Sequence, residues 1–88
     1  MLDPTLRNGS AEVDLMTDLQ KKVLRSIYEA PMAGLRLWQI QNKVSATKLE
    51  TQDTLRELLA AGYIEILSMG GGPKYRKVAS KAYVLAAL

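Results

Sequence analysis

The chain has 88 residues, 48% of them hydrophobic and 24% charged, and its twelve Lys and Arg against nine Asp and Glu give a formal net charge of +3. A chain of that size holds one small core, and the balance is that of a globular chain rather than a disordered or fibrous one. With no Cys and no His there is no disulfide framework, thiolate or imidazole metal site or catalytic triad, and no run reaches the roughly 20 apolar residues of a membrane helix.

Residues 1–14 scatter Asp3, Pro4, Asn8, Gly9, Ser10 and Glu12 among apolar residues with no helical or strand period, and read as a disordered leader to a domain over 15–88. Thr17 and Gln20 then have capping-box spacing, with the hydroxyl taking a free helix amide and the side-chain amide reaching back. Leu19, Val23, Leu24 and Ile27, with Met16 and Tyr28 at the ends, recur at three- and four-residue steps and predict a first helix that Pro31 ends. Leu37, Ile40 and Val44 predict a second, two-turn helix whose start lacks a capping side chain. Thr47 and Glu50 form another capping box, opening a third helix over 48–61 with Thr51, Leu55, Leu58 and Leu59 inward and Gly62 closing it.

Residues 63–68 are branched and aromatic and predict a strand, and Gly70-Gly71-Gly72-Pro73 is the strongest turn signal in the chain. The return strand is either 74–79 or 82–87. The apolar run Ala82-Tyr83-Val84-Leu85 is the better strand, leaving 74–81 as a basic loop; the competing version pairs 75–78 and makes 80–88 helical. Three helices and a hairpin in this order predict an α+β fold, a winged helix-turn-helix.

From Gly34 to the end the sequence resembles a winged-helix domain of the RNA polymerase III subunit that carries tandem winged helices and is related to general transcription factor IIE. Gly34-Leu35, Ile40, Lys43, Glu50, Leu55, Leu58, Ile64 and Lys81-Ala82-Tyr83-Val84-Leu85 carry the resemblance, with residues 23–29 fitting the first helix. It departs where Arg36 stands in place of the family's Trp, with Trp38 two residues on, and in its longer glycine wing. The resemblance implies a nuclear fragment of a larger subunit. Its partners would be other polymerase III subunits and an initiation factor, with promoter DNA bound weakly and without sequence preference.

Charge placement supplies the candidate surfaces. Residues 66–88 hold Lys74, Arg76, Lys77 and Lys81 and no acid, so with Tyr75 interleaved as a stacking ring the wing is the expected nucleic-acid contact. On the third helix, Glu50, Asp53 and Glu57 form an acidic stripe opposite Leu55 and Leu58, which with the exposed Leu49 suits protein docking. Lys48, Gln52 and Arg56 flank that stripe as a secondary nucleic-acid row, but two bases against three acids make deep major-groove insertion by this helix unfavourable. Lys21, Lys22 and Arg25 read as a solvated face, Trp38 as a core plug, and Tyr63 and Tyr83 as strand packing. The expected protein is a transcription-complex module in a reducing intracellular compartment, non-catalytic, without metal or cofactor, monomeric in isolation and away from membranes. The alternative is a homodimeric winged-helix regulator of operator DNA, with 84–88 as its only dimer face.

Overall fold

The computed structural model describes residues 10–88. In chain order these form α1 (Ser10–Asp14), α2 (Asp18–Tyr28), α3 (Leu37–Val44), α4 (Lys48–Ala60), β1 (Ile64–Met69), β2 (Gly72–Lys77) and a terminal 3-10 helix, η1 (Ala79–Ala87). Helices α2, α3 and α4 enclose the core and the antiparallel β1–β2 hairpin closes it, so the fold is a winged helix-turn-helix of the α+β class.

Both predicted capping boxes are made. Thr17 Oγ1 accepts from the Gln20 amide at 3.1 Å while Gln20 Oε1 accepts from the Thr17 amide at 2.8 Å. Thr47 and Glu50 repeat the exchange at 3.1 and 3.0 Å. Helix α3 has half of such a box: Arg36 offers no side-chain acceptor, but Gln39 Oε1 accepts from the Arg36 amide at 2.8 Å. At the end of α4, Gly62 at φ 82° lets its own amide bond Leu59 and the Tyr63 amide bond Leu58, a Schellman closure that turns the chain into β1.

The apolar stripes meet as their periods require. Val23, Leu24, Ile27 and Tyr28 from α2, Ile40 and Val44 from α3, and Leu55 and Leu58 from α4 are buried together. At about 25 cal/mol per Å² these side chains supply the main stabilising term. Two threonines join them on α4, where the buried Thr51 hydroxyl donates to the Thr47 carbonyl at 2.8 Å. Trp38 is not a core plug: it is 60% exposed on the outer side of α3, because Leu37, Ile40 and Val44 already fill the inward side.

The hairpin settles the choice of return strand against 82–87. Ile64 pairs with Lys77, Ile66 with Tyr75 and Met69 with Gly72, so the basic segment is the strand. The apolar run 82–85 lies in η1, where Val84 is completely buried. A four-residue apolar run satisfies a buried strand and one side of a helix equally, and here the helix wins because β2 already occupies the sheet edge. Leu35 adds an isolated bridge on the far side of β2, with two backbone bonds to Tyr75 of 2.9 and 2.7 Å.

The leader boundary also moves. Residues 1–9 lie outside the described residues, whereas residues 10–14 form α1 and place Val13 in the core. The Glu12 carboxylate explains the attachment: it accepts from the Tyr63 hydroxyl at 2.6 Å and from the Tyr83 hydroxyl at 2.7 Å. Tyr83 therefore works from η1 as a tether for α1, not as strand packing. Lys81 Nζ lies 5.5 Å from the Tyr63 ring centroid and 6.0 Å from that of Tyr83, completing a cluster that joins the two ends of the described chain.

Candidate nucleic-acid interface

Helix α4 turns its inward arc, Thr51, Thr54, Leu55 and Leu58, against α2 and α3. Thr54 was missing from the predicted stripe, and its burial shifts the inward arc toward the acidic residues. At 100° per residue Glu50, Asp53 and Glu57 then centre roughly 120° from the buried arc, on one flank rather than opposite it. The carboxylates are also occupied. Glu50 closes the Thr47 capping box, and the two Thr47 hydrogen bonds hold its carboxyl below the usual range. Glu57 accepts from Gln20 Nε2 at 3.0 Å across to α2, and Asp53 pairs with Arg56 at 3.1 Å. Of the expected docking residues, Leu49 is 67% exposed.

The other flank of α4 borders the wing. Gln52 and Arg56 line an open groove of about 240 Å³ together with Leu55, Leu59 and Tyr75. Lys48 stands one turn before Gln52 on the same edge. Gln52 and Arg56 are the members of this row that the structure brings beside the hairpin.

The wing does not present four cations as one tip. Side chains alternate along a strand, so Tyr75 and Lys77 share the Ile64 and Ile66 face while Lys74 and Arg76 share the opposite one with Glu65 and Leu67. Arg76 is paired with Glu65 at 3.1 Å, and Lys81 belongs to η1, over the Tyr63 ring. Lys74 and Lys77 are the wing cations without an ion pair among the described residues. Tyr75 is no open stacking platform either: its ring packs against the core and its backbone is paired on both sides, with Ile66 and with Leu35.

Arg36 is the residue that sequence reasoning missed. From the start of α3 its Nη1 donates to the Gly71 carbonyl at 2.6 Å and to that of Gly72 at 3.3 Å, strapping the wing tip to the body. Its position two residues after a glycine, where the resemblance expected Trp, was the available signal. Gly34 itself is obligatory, since it sits at φ 83° and a Cβ there would come within 2.6 Å of the Tyr75 carbonyl oxygen.

Among the described residues no group of three acidic, His or Cys side chains is placed to hold a metal, and no helix is long and apolar enough to cross a membrane. No family model matches the chain, and no curated protein matches it either. Among solved structures it is similar to MepR, a transcription regulator of the Staphylococcus aureus multidrug efflux pump MepA, with a TM-score of 0.76 at 16% identity over 96% of this chain. The chain spans 64% of the length of that regulator.

Proposed function

We propose that the chain is a DNA-binding winged-helix domain of a transcription regulator, with the wing-side edge of α4 as its contact with duplex DNA. The observation that carries this reading is the shared groove: Gln52 and Arg56 open beside Tyr75 of the hairpin, while Glu50 and Glu57 are held on the other flank. Amide and guanidinium side chains are the groups that read adenine and guanine edges in the major groove. Lys48, Lys74 and Lys77 supply phosphate contacts at the margins. The likeness to MepR supports a regulator more than a polymerase III subunit.

The homodimeric form of this reading does not rest on 84–88 as a whole, because Val84 is completely buried and Ala87 and Leu88 pack against the core. Of that segment only Leu85 is an exposed large apolar residue, so self-association would use it together with Leu15, 89% exposed after α1. Sedimentation of the chain alone reports whether it does.

Fluorescence anisotropy with labelled duplexes at two salt concentrations tests the DNA reading. Arg56→Ala and Gln52→Ala should each weaken binding by roughly five-fold or more and relax sequence preference, as expected for lost base contacts of about 1–3 kcal/mol. Lys74→Ala should weaken all duplexes alike and reduce the salt slope by about 1. Absence of binding at low salt, or binding indifferent to Arg56 and Gln52, refutes it.

A further inference from the structure

Helix α2 carries cations that the α4 surface does not use. Lys21, Lys22 and Arg25 line an open cleft of about 530 Å³ between α2 and the end of α3, and Lys43 lines it from the α3 side. Asp18 is the one carboxylate on its wall, and it forms no ion pair within 4 Å among the described residues. Both ion pairs of the described chain lie elsewhere, on α4 and in the hairpin. The cleft shares no lining residue with the groove between α4 and the wing.

We propose that this cleft binds a polyphosphate-class anion, either a free polyphosphate or nucleotide tail, or consecutive phosphates of a nucleic-acid strand. Four cations against one acid in a single concavity leave an excess of three positive charges, which a compact group with several negative oxygens matches at once. The cleft volume lies within the roughly 300–1,000 Å³ of small-ligand sites. Lysine ammoniums suit such a ligand because each is a compact charge with three donors on a flexible stem, able to follow phosphate oxygens. The Ser26 hydroxyl on the cleft wall already donates to the Lys22 carbonyl at 2.9 Å, so the cations bear the recognition.

Sodium tripolyphosphate is the probe, titrated into the chain while backbone amide shifts are followed. Saturable shifts at residues 21–26 and 43–45, weakening with added salt, are the expected result. Lys21→Gln with Lys43→Gln should lower the affinity roughly ten-fold, while Arg56→Ala leaves it unchanged. Lys43 is exposed and Lys21 is half-buried outside the core, so the fold should be kept, and unchanged amide dispersion in the apo variant verifies it. Oligothymidine that displaces tripolyphosphate from these amides assigns the phosphates to a strand; tripolyphosphate binding without displacement assigns them to a small molecule. Shifts spread equally over Lys74 and Lys77, preference for an oligoglutamate peptide, or full affinity in the double variant would overturn the proposal. Because Arg56 and Gln52 lie outside the cleft, failure here leaves the reading of α4 standing.

Discussion

Arg36 Nη1 and the Gly71 carbonyl oxygen stand 2.6 Å apart, joining the first turn of the helix-turn-helix to the tip of the wing. A two-stranded hairpin is marginal by itself. This one gains the Leu35 bridge at its base and the Arg36 strap at its tip, so the helices and the wing are held as one surface. Arg36→Ala should therefore loosen residues 70–72 selectively. Heteronuclear relaxation should show the tip becoming mobile, while the unfolding free energy falls by only about 0.5–1.5 kcal/mol, the net value of a typical hydrogen bond. A tip as rigid as before would show that the strap contributes nothing to wing order.

Gly34 and Gly62 adopt almost the same backbone conformation, φ 83° and 82°, but differ in surroundings. A methyl at Gly62 meets nothing within 4 Å, whereas one at Gly34 collides with the Tyr75 carbonyl. Gly62→Ala should cost about 1–2 kcal/mol, the left-handed penalty alone. Gly34→Ala carries that penalty and in addition breaks the Leu35–Tyr75 pairing, so urea unfolding should give a clearly larger loss. Equal losses would mean that the close approach of the two backbones does not hold in solution.

What the sequence discloses and what it hides follow from the range of the interaction. Capping boxes at Thr17 and Thr47 and the closing Gly62 are local, within a few residues, and each stands in the structure where its spacing puts it. The stripe of α2 is legible for the same reason. The Leu35 bridge is a single residue with no period to detect, and β2 reads Gly-Pro-Lys-Tyr-Arg-Lys, without the apolar alternation that marks a strand. Its register is imposed by the glycine turn and by Leu35 on the far edge. The Glu12 tether spans 51 and 71 residues to its two tyrosines, beyond any local signal. On the candidate interface, spacing placed Lys48, Gln52 and Arg56 on one row, but only the packed wing shows that this row borders the hairpin and that the wing cations divide between two faces.

The Glu12 tether makes stability depend on pH at both extremes. Hydrogen bonds from Tyr63 and Tyr83, helped by the Lys81 charge, hold the Glu12 carboxyl below its ordinary value of 4.5. A carboxyl depressed on folding stabilises the fold fully above its unfolded pKa and ceases to do so as pH falls through the folded value. Glu12→Gln should flatten the stability profile below about pH 4.5 and also ease its alkaline side, because the bonds to Glu12 help to raise the Tyr63 and Tyr83 hydroxyls. At the other extreme, burial pushes the Tyr28 hydroxyl up to about 12, and its bond to the Tyr63 carbonyl is 2.6 Å long. A phenol raised on folding contributes below its unfolded value near 10 and loses that contribution as pH climbs. Tyr28→Phe should abolish part of the alkaline loss, read by urea midpoints between pH 9 and 12. A profile unaltered by either substitution would show that these hydroxyls and the carboxylate are solvated in the folded protein.

Asp53 and Arg56 set the charge that α4 offers to DNA. Their 3.1 Å pair is one turn apart on an exposed surface, with side chains 53% and 76% accessible, so it contributes only about 0.3–0.5 kcal/mol to the fold. Near a phosphate backbone the same pair acts differently, because Asp53 holds the guanidinium that would otherwise reach a base edge and adds its own repulsion. Asp53→Asn should leave the unfolding midpoint almost unchanged and strengthen duplex binding by roughly two- to five-fold at low salt, with the gain shrinking as salt screens the charge. The double variant Asp53→Asn with Arg56→Ala should lose most of that gain, since the released guanidinium is its source. A gain that survives without Arg56 would trace the effect to general removal of negative charge, and no gain at all would place the α4 edge away from the duplex.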